Sequence, residues 1–170
     1  SPVISDDDVT IAESGAIIEY LVGKYDDGTL LPADGSVERR AYTYWLHYAE
    51  GSFAPLMLVS LLMGRIETAP MPFFIKPVAK GLAGKVRDNF LNRNVKRNLD
   101  FMESTLSEST WFCGEQFTAA DIQMSFAVDA AEVRSNLRQD NPNLAGYLDR
   151  VRARPAYLAA ITKGGSYGLM

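Results

Sequence analysis

Between Gly84 and Ser107, the residues Leu91, Val95, Leu99, Met102 and Leu106 recur at spacings of four, four, three and four. That is the period of one face of an α-helix, and a chain built of such stripes closes by packing helix on helix. The same period begins near Glu13, where Ile17, Tyr20 and Leu21 share a face and a stop follows at Tyr25-Asp26-Asp27-Gly28. A second helical stretch runs from about Ser36 to Glu67, with Gly51 and Pro55 marking a kink. Pro70, Pro72 and Pro77 interrupt the pattern before the helix from Gly84, so the two long helices are predicted to be antiparallel neighbours. Only residues 1–12 read otherwise. Val3-Ile4 and Val9-Thr10-Ile11 are β-branched runs about an Asp6-Asp7-Asp8 turn, a hairpin that must lean on the helices or on a further sheet.

The stretch "EQFTAADIQMSF" carries the strongest local signal. Thr118 is placed as an N-cap, Asp121 stands at the third helical position to reach back to it, and Phe117 with Ile122 has the spacing of a hydrophobic staple. Loss of the Asp121 carboxylate is expected to cost about 1–2 kcal/mol. Ile122, Phe126, Ala130, Val133 and Leu137 then predict the buried face of a central helix. Leu144, Tyr147, Leu148 and Val151 mark another helix, and Pro155 suits the first position of a last short one, before a loop at Gly164-Gly165. The fold class expected is mainly α.

Several functions are excluded on composition. The most apolar window, Phe53 to Met63, is interrupted by Ser60 and falls short of the ~20 residues that span a bilayer, so no membrane association is expected. Cys113 is the only cysteine and His47 the only histidine, which argues against disulfides and metal sites and for a reducing, cytoplasmic compartment. Cys113 reads as a small buried thiol and His47 as a core or interface side chain. A net charge of -4 argues against general affinity for nucleic acid. Lys76, Lys80, Lys85, Arg87, Arg93, Lys96 and Arg97 face only Asp88, either as a solvated helix face or as a contact for an anionic partner.

Taken together, "ESGAIIEYL" and "FTAAD", with "ARPAY" later, resemble a cytosolic glutathione S-transferase, of the branch that the stretches "YTYWLHYAEGS" and "ETAPMPFF" mark as bacterial or fungal. The resemblance runs from Pro2 to about Tyr157. It implies an all-helical C-terminal domain (36–170) after a linker (30–35), preceded by the second half, strand-strand-helix, of a thioredoxin-like domain (1–29). The family's first βαβ unit, with its thiol-activating Tyr, Ser or Cys, is then expected upstream of Ser1. The function implied is conjugation of glutathione, as substrate, to small hydrophobic electrophiles by a homodimer. A non-catalytic module that docks a protein or RNA on the Lys76–Arg97 face is the alternative, since this fold also serves without catalysis.

The resemblance assigns glutathione binding to Pro2, Val3, Glu13 and Ser14. Pro2 would be the family's cis-proline, exposing the Val3 backbone to the tripeptide as an added strand. A helix N-terminus favours a carboxylate, Ser14 adds a hydroxyl donor and Glu13 a carboxylate for an ammonium, which suits the α-amino acid head of a γ-glutamyl group. The plain alternative is an N-cap serine beside a surface acid. Glu50 is either an ordinary acid near the kink or the family's acid that reaches a neighbouring subunit's glutathione. Tyr44, Tyr48 and Ser52 share a helix face and are either core or the lining of an electrophile pocket.

Overall fold

In the computed structural model, which describes residues 2–165, the chain opens with strands β1 (Val3–Asp6) and β2 (Val9–Ala12). They pair antiparallel with Val3 opposite Ala12 and Ile4 opposite Ile11. The Ser1–Pro2 bond, where a cis-proline was expected, lies outside the described residues. Helix α1 (Ser14–Tyr25) follows directly and secures the hairpin. Asp6 Oδ2 accepts hydrogen bonds from Lys24 Nζ (2.8 Å), Tyr20 Oη (2.9 Å) and Tyr25 Oη (2.6 Å). Those bonds, Lys24's foremost, hold the Asp6 carboxyl down at about 2.

The first long helix comprises α2 (Val37–Tyr48), a π-helical turn over Ala49–Phe53, and α3 (Ala54–Thr68). Ser36 Oγ caps it by accepting from the Arg39 N–H at 2.9 Å. The expected kink is this π-turn. Pro55 offers no N–H to the Gly51 carbonyl, and the Ala54 N–H bonds instead to Ala49, five residues back. The window expectation for this region needs correction as well. The helix runs past Ser60, and by length and composition Val37–Thr68 could cross a bilayer, with an 18-residue window of mean hydropathy 1.2. One face of it is nevertheless core, since Tyr42, Trp45, Leu46, Tyr48, Ala49, Phe53, Leu56 and Met57 are buried in the bundle.

The second long helix starts earlier than the periodicity predicts, at Lys76 rather than Gly84. Helix α4 (Lys76–Val86) runs through a second π-turn, Arg87–Leu91, into α5 (Asn92–Glu108). Pro77 sits in the first turn, where a missing N–H costs nothing, so it starts this helix instead of breaking it. Of the basic residues here, Arg87 bridges to Glu67 at 2.9 Å, Lys96 to Asp100 at 2.7 Å, and Arg97 donates to Asn94.

Four more helices follow among the described residues: α6 (Ala119–Glu132), α7 (Leu137–Asp140), α8 (Pro142–Arg152) and α9 (Pro155–Gly164). Helix α6 is central, packed against α1, α2, α3 and α8. Its buried face is the predicted one only in part, since of the expected stripe Ala130 and, beyond the helix, Leu137 are buried. Ala119, Ala120, Met124, Ala127, Val128 and Ala131 point inward, while Ile122, Phe126 and Val133 are exposed. A helix hemmed in by several neighbours presents small residues where backbones approach closely, which leaves its bulky side chains to the open side.

The cap at the start of α6 forms as predicted. Asp121 Oδ2 accepts from the Thr118 N–H (2.8 Å) and Thr118 Oγ1 (3.0 Å), and Oδ1 accepts from the Phe112 N–H (3.0 Å). Burial nevertheless pushes this carboxyl up to about 6, against those three bonds. Phe117 packs edge-on to Trp111 and beneath the Arg154 guanidinium, 3.6 Å from its ring centre. Cys113 is buried as expected, its thiol pushed up to about 12 by burial, whereas His47 is exposed and belongs to no core.

Candidate functional site

Helix α1 begins in an unusual way. Its N-cap is Glu13, with φ 75° and ψ 123° and no side-chain cap, so Ser14 is the first helical residue and not the cap. A non-glycine residue held there costs about 1–3 kcal/mol and persists only where its surroundings enforce it. The first intrahelical bond runs from the Ile17 N–H to Glu13 O at 2.9 Å. The N–H groups of Ser14, Gly15 and Ala16 thus lie ahead of the ladder, at the positive end of the helix.

Two side chains distant in sequence converge on this point. Ser14 Oγ donates to Glu50 Oε1 at 3.0 Å. Gln123 Nε2 donates to Ser14 Oγ at 3.0 Å and to Glu50 Oε1 at 2.7 Å. Glu50 is carried by the π-turn and Gln123 by α6, so three elements meet at one hydroxyl. The β-register sets Val3 across from Ala12, next to Glu13, and both Val3 and Pro2 are exposed. Unpaired N–H groups, a hydroxyl, an extended strand and two acids, Glu13 and Glu50, thus gather at one edge. Such a set can hold a ligand carboxylate at the helix start, an ammonium beside it and an extended backbone along β1.

Glu50 also borders a cleft of about 420 Å³ between α3 and α6, lined by Ala54, Pro55, Leu58, Leu61 and Phe126. Apolar walls with a polar group at the mouth suit a small hydrophobic molecule. Tyr44, Tyr48 and Ser52 do share a groove, but a different one, with Phe90, Asn94 and Phe101. It has no lining residue in common with the cleft at Glu50. Tyr48 donates to Asn98 Oδ1 there, and burial pushes its phenol up to about 12. Sequence reasoning missed Gln123 and Phe126 as residues of this region. The one signal for Gln123 was an amide in a helix otherwise rich in small and apolar residues. Among the described residues no group of three or more His, Cys, Asp or Glu is placed to hold a metal ion.

Comparison with known proteins gives a consistent picture. Residues 73–155 match the family described as "Glutathione S-transferase, C-terminal domain". Glutathione S-transferase 3 of Schizosaccharomyces pombe is 31% identical over 163 residues, 96% of this chain and 67% of that protein. Among solved structures, a glutathione S-transferase from Actinobacillus pleuropneumoniae superposes with a TM-score of 0.73 at 29% identity, covering 96% of this chain and 68% of the other. A sphingomonad glutathione S-transferase complexed with glutathione shares the fold, with a TM-score of 0.71 at 24% identity over 98% of this chain and 75% of the other. The chain thus spans about two-thirds of the length of such relatives.

Proposed function

The chain belongs to the glutathione S-transferase family, and we propose that the edge formed by Pro2, Val3, Glu13 and Ser14 binds glutathione for transfer to a small hydrophobic electrophile. The observation that carries this reading is the meeting of Ser14, Glu50 and Gln123 at the open N-terminus of α1. In this reading the γ-glutamyl carboxylate takes the free N–H groups and the Ser14 hydroxyl. Its ammonium lies between Glu13 and Glu50, and the cysteinyl backbone pairs with Val3 along β1. Residues 1–29 then act as the glutathione-binding part and 36–170 as the helical domain, and the family reading implies a cytoplasmic homodimer.

The apolar cleft between α3 and α6 is the electrophile site in this reading, in place of the Tyr44, Tyr48 and Ser52 groove. In the reaction, the glutathione thiolate forms a bond to the electrophilic carbon while a leaving group departs with the bonding pair. The thiol proton goes to solvent beforehand. A free thiol with a pKa of ~8.5 needs a donor to hold that thiolate at neutral pH, and no described residue is assigned to that role.

The test is calorimetric titration of the full chain with glutathione, beside Ser14→Ala. The variant removes one charge-assisted hydrogen bond and should bind about tenfold more weakly. Equal affinity in the two proteins would contradict the reading.

A further inference from the structure

We infer that Gln123 is a positioning residue that fixes Glu50 at the Ser14 of its own chain, so that recognition of the ligand ammonium is completed within one subunit. This rests on the glutathione reading above, and it replaces the expectation that Glu50 serves a neighbouring subunit. Gln123 is 6% exposed, and its amide nitrogen has two hydrogens. Both meet oxygens, one at Ser14 and one at Glu50, separated from it by 109 and 73 residues in the chain. Glu50 Oε1 only accepts, so it is the NH₂ end of the amide that faces it. A glutamate on an open surface samples many rotamers, and ordering it on binding weakens the complex. The 2.7 Å bond from a buried amide supplies that order in advance.

The bonding pattern also defines what happens on occupancy. In the structure Oε1 accepts both Ser14 Oγ and Gln123 Nε2, and among the described residues Oε2 accepts none. A ligand ammonium can take Oε2 without disturbing the amide. The Ser14 hydroxyl, now donating to Glu50, turns its hydrogen to the ligand carboxylate, while Gln123 continues to donate to Ser14 Oγ. Gln123 therefore touches no ligand atom and acts through the two groups that do. The π-turn at Ala49–Phe53 contributes by setting Glu50 out of ordinary α-register, on the side where α1 and α6 meet.

The experiment compares binding of glutathione and of glutaryl-cysteinylglycine, which lacks only the α-amino group, by calorimetry on the full chain. Wild type should prefer glutathione by about tenfold, and Glu50→Gln should abolish that preference. Gln123→Met keeps the length and burial of the side chain but donates nothing. It should cut the preference to about threefold or less, with any weakening toward the deaminated analogue, through Ser14, smaller than that toward glutathione. An undiminished preference, or equal weakening of both ligands, would overturn the inference and leave Gln123 a purely structural pin. Wild type that binds neither ligand would instead remove the glutathione reading, and this inference with it. A mixture of Ser14→Ala and Glu50→Gln chains makes the result independent of the Gln123 variant's folding. If Glu50 serves its own chain, the tight sites of the mixture, which carry Ser14 beside Gln at position 50, show no preference for glutathione, whereas a preference at those sites would show Glu50 acting across subunits.

Discussion

Asp121→Ala is expected to lower stability by about 3 kcal/mol at pH 7, more than an ordinary cap would cost. The reason is that Asp121 is fully buried and serves two separate segments. Its loss strands the N–H of Thr118 and that of Phe112, nine residues before it in the chain. Each orphaned buried donor costs about 1–3 kcal/mol, and relief from burying a carboxylate offsets part of that. The melting midpoint should fall by roughly 6–12 °C. Because burial raises the folded carboxyl to about 6, above its unfolded value of 3.8, the native state holds this proton more tightly. The group's contribution is then fully present below pH 4 and declines as pH rises through 6, so the gap between wild type and variant should be wider at pH 5 than at pH 7. Melting curves at those two pH values check both parts. An unchanged midpoint would contradict the cap, and a narrower gap at pH 5 would contradict the raised carboxyl.

Arg152→Ala should be the next most damaging change, at about 2–3 kcal/mol. Arg152 Nη2 lies 2.7 Å from Asp129 Oδ1 and also bonds Glu132, tying α8 to the end of α6. The Asp129 side chain is 5% exposed, so removing the guanidinium takes one cation from a nearly buried carboxylate. Partial exposure of Arg152 itself keeps the cost below that of a fully buried pair. Burial works to raise the Glu132 carboxyl, yet Arg152 and then Arg138 hold it below its ordinary value. That stabilisation is present above the unfolded value of 4.5 and is lost as pH falls through the lowered one, so the effect of Arg152→Ala should shrink in acid. Urea denaturation at pH 7 and pH 3.5 measures it. A loss below about 0.5 kcal/mol at pH 7 would mean that the network is merely superficial.

Signals that depend on neighbours in sequence were legible here. The Leu91 to Leu106 stripe, the Thr118–Asp121 cap and the Val3 to Ile11 hairpin each rest on short spacings, and each stands in the structure. Pro55 marked an irregularity, but a missing N–H does not say whether the helix breaks, bends or widens, and here it widens. Pro77 was ambiguous in the same way, since a proline that ends one helix can equally begin the next. The inward face of α6 was misread because Ile122 and Phe126 outweigh alanines in any apolar pattern. Close helix packing selects the alanines instead. The junction Glu13-Ser14 could be read as a ligand site, but its partners could not. Glu50 and Gln123 reach Ser14 only through the packing of α1, the π-turn and α6, which no local spacing encodes.

Glutathione is expected to occupy the start of α1. A titration of the ¹⁵N-labelled chain with glutathione, followed by amide NMR, reads that position residue by residue. The expected result is saturable movement of the backbone signals of Val3, Ser14 and Gly15 and of the Gln123 side-chain amide, with signals of the Tyr44, Tyr48 and Ser52 groove unmoved. Saturable shifts confined to that groove, or none at Val3 and Ser14 at millimolar glutathione, would contradict it.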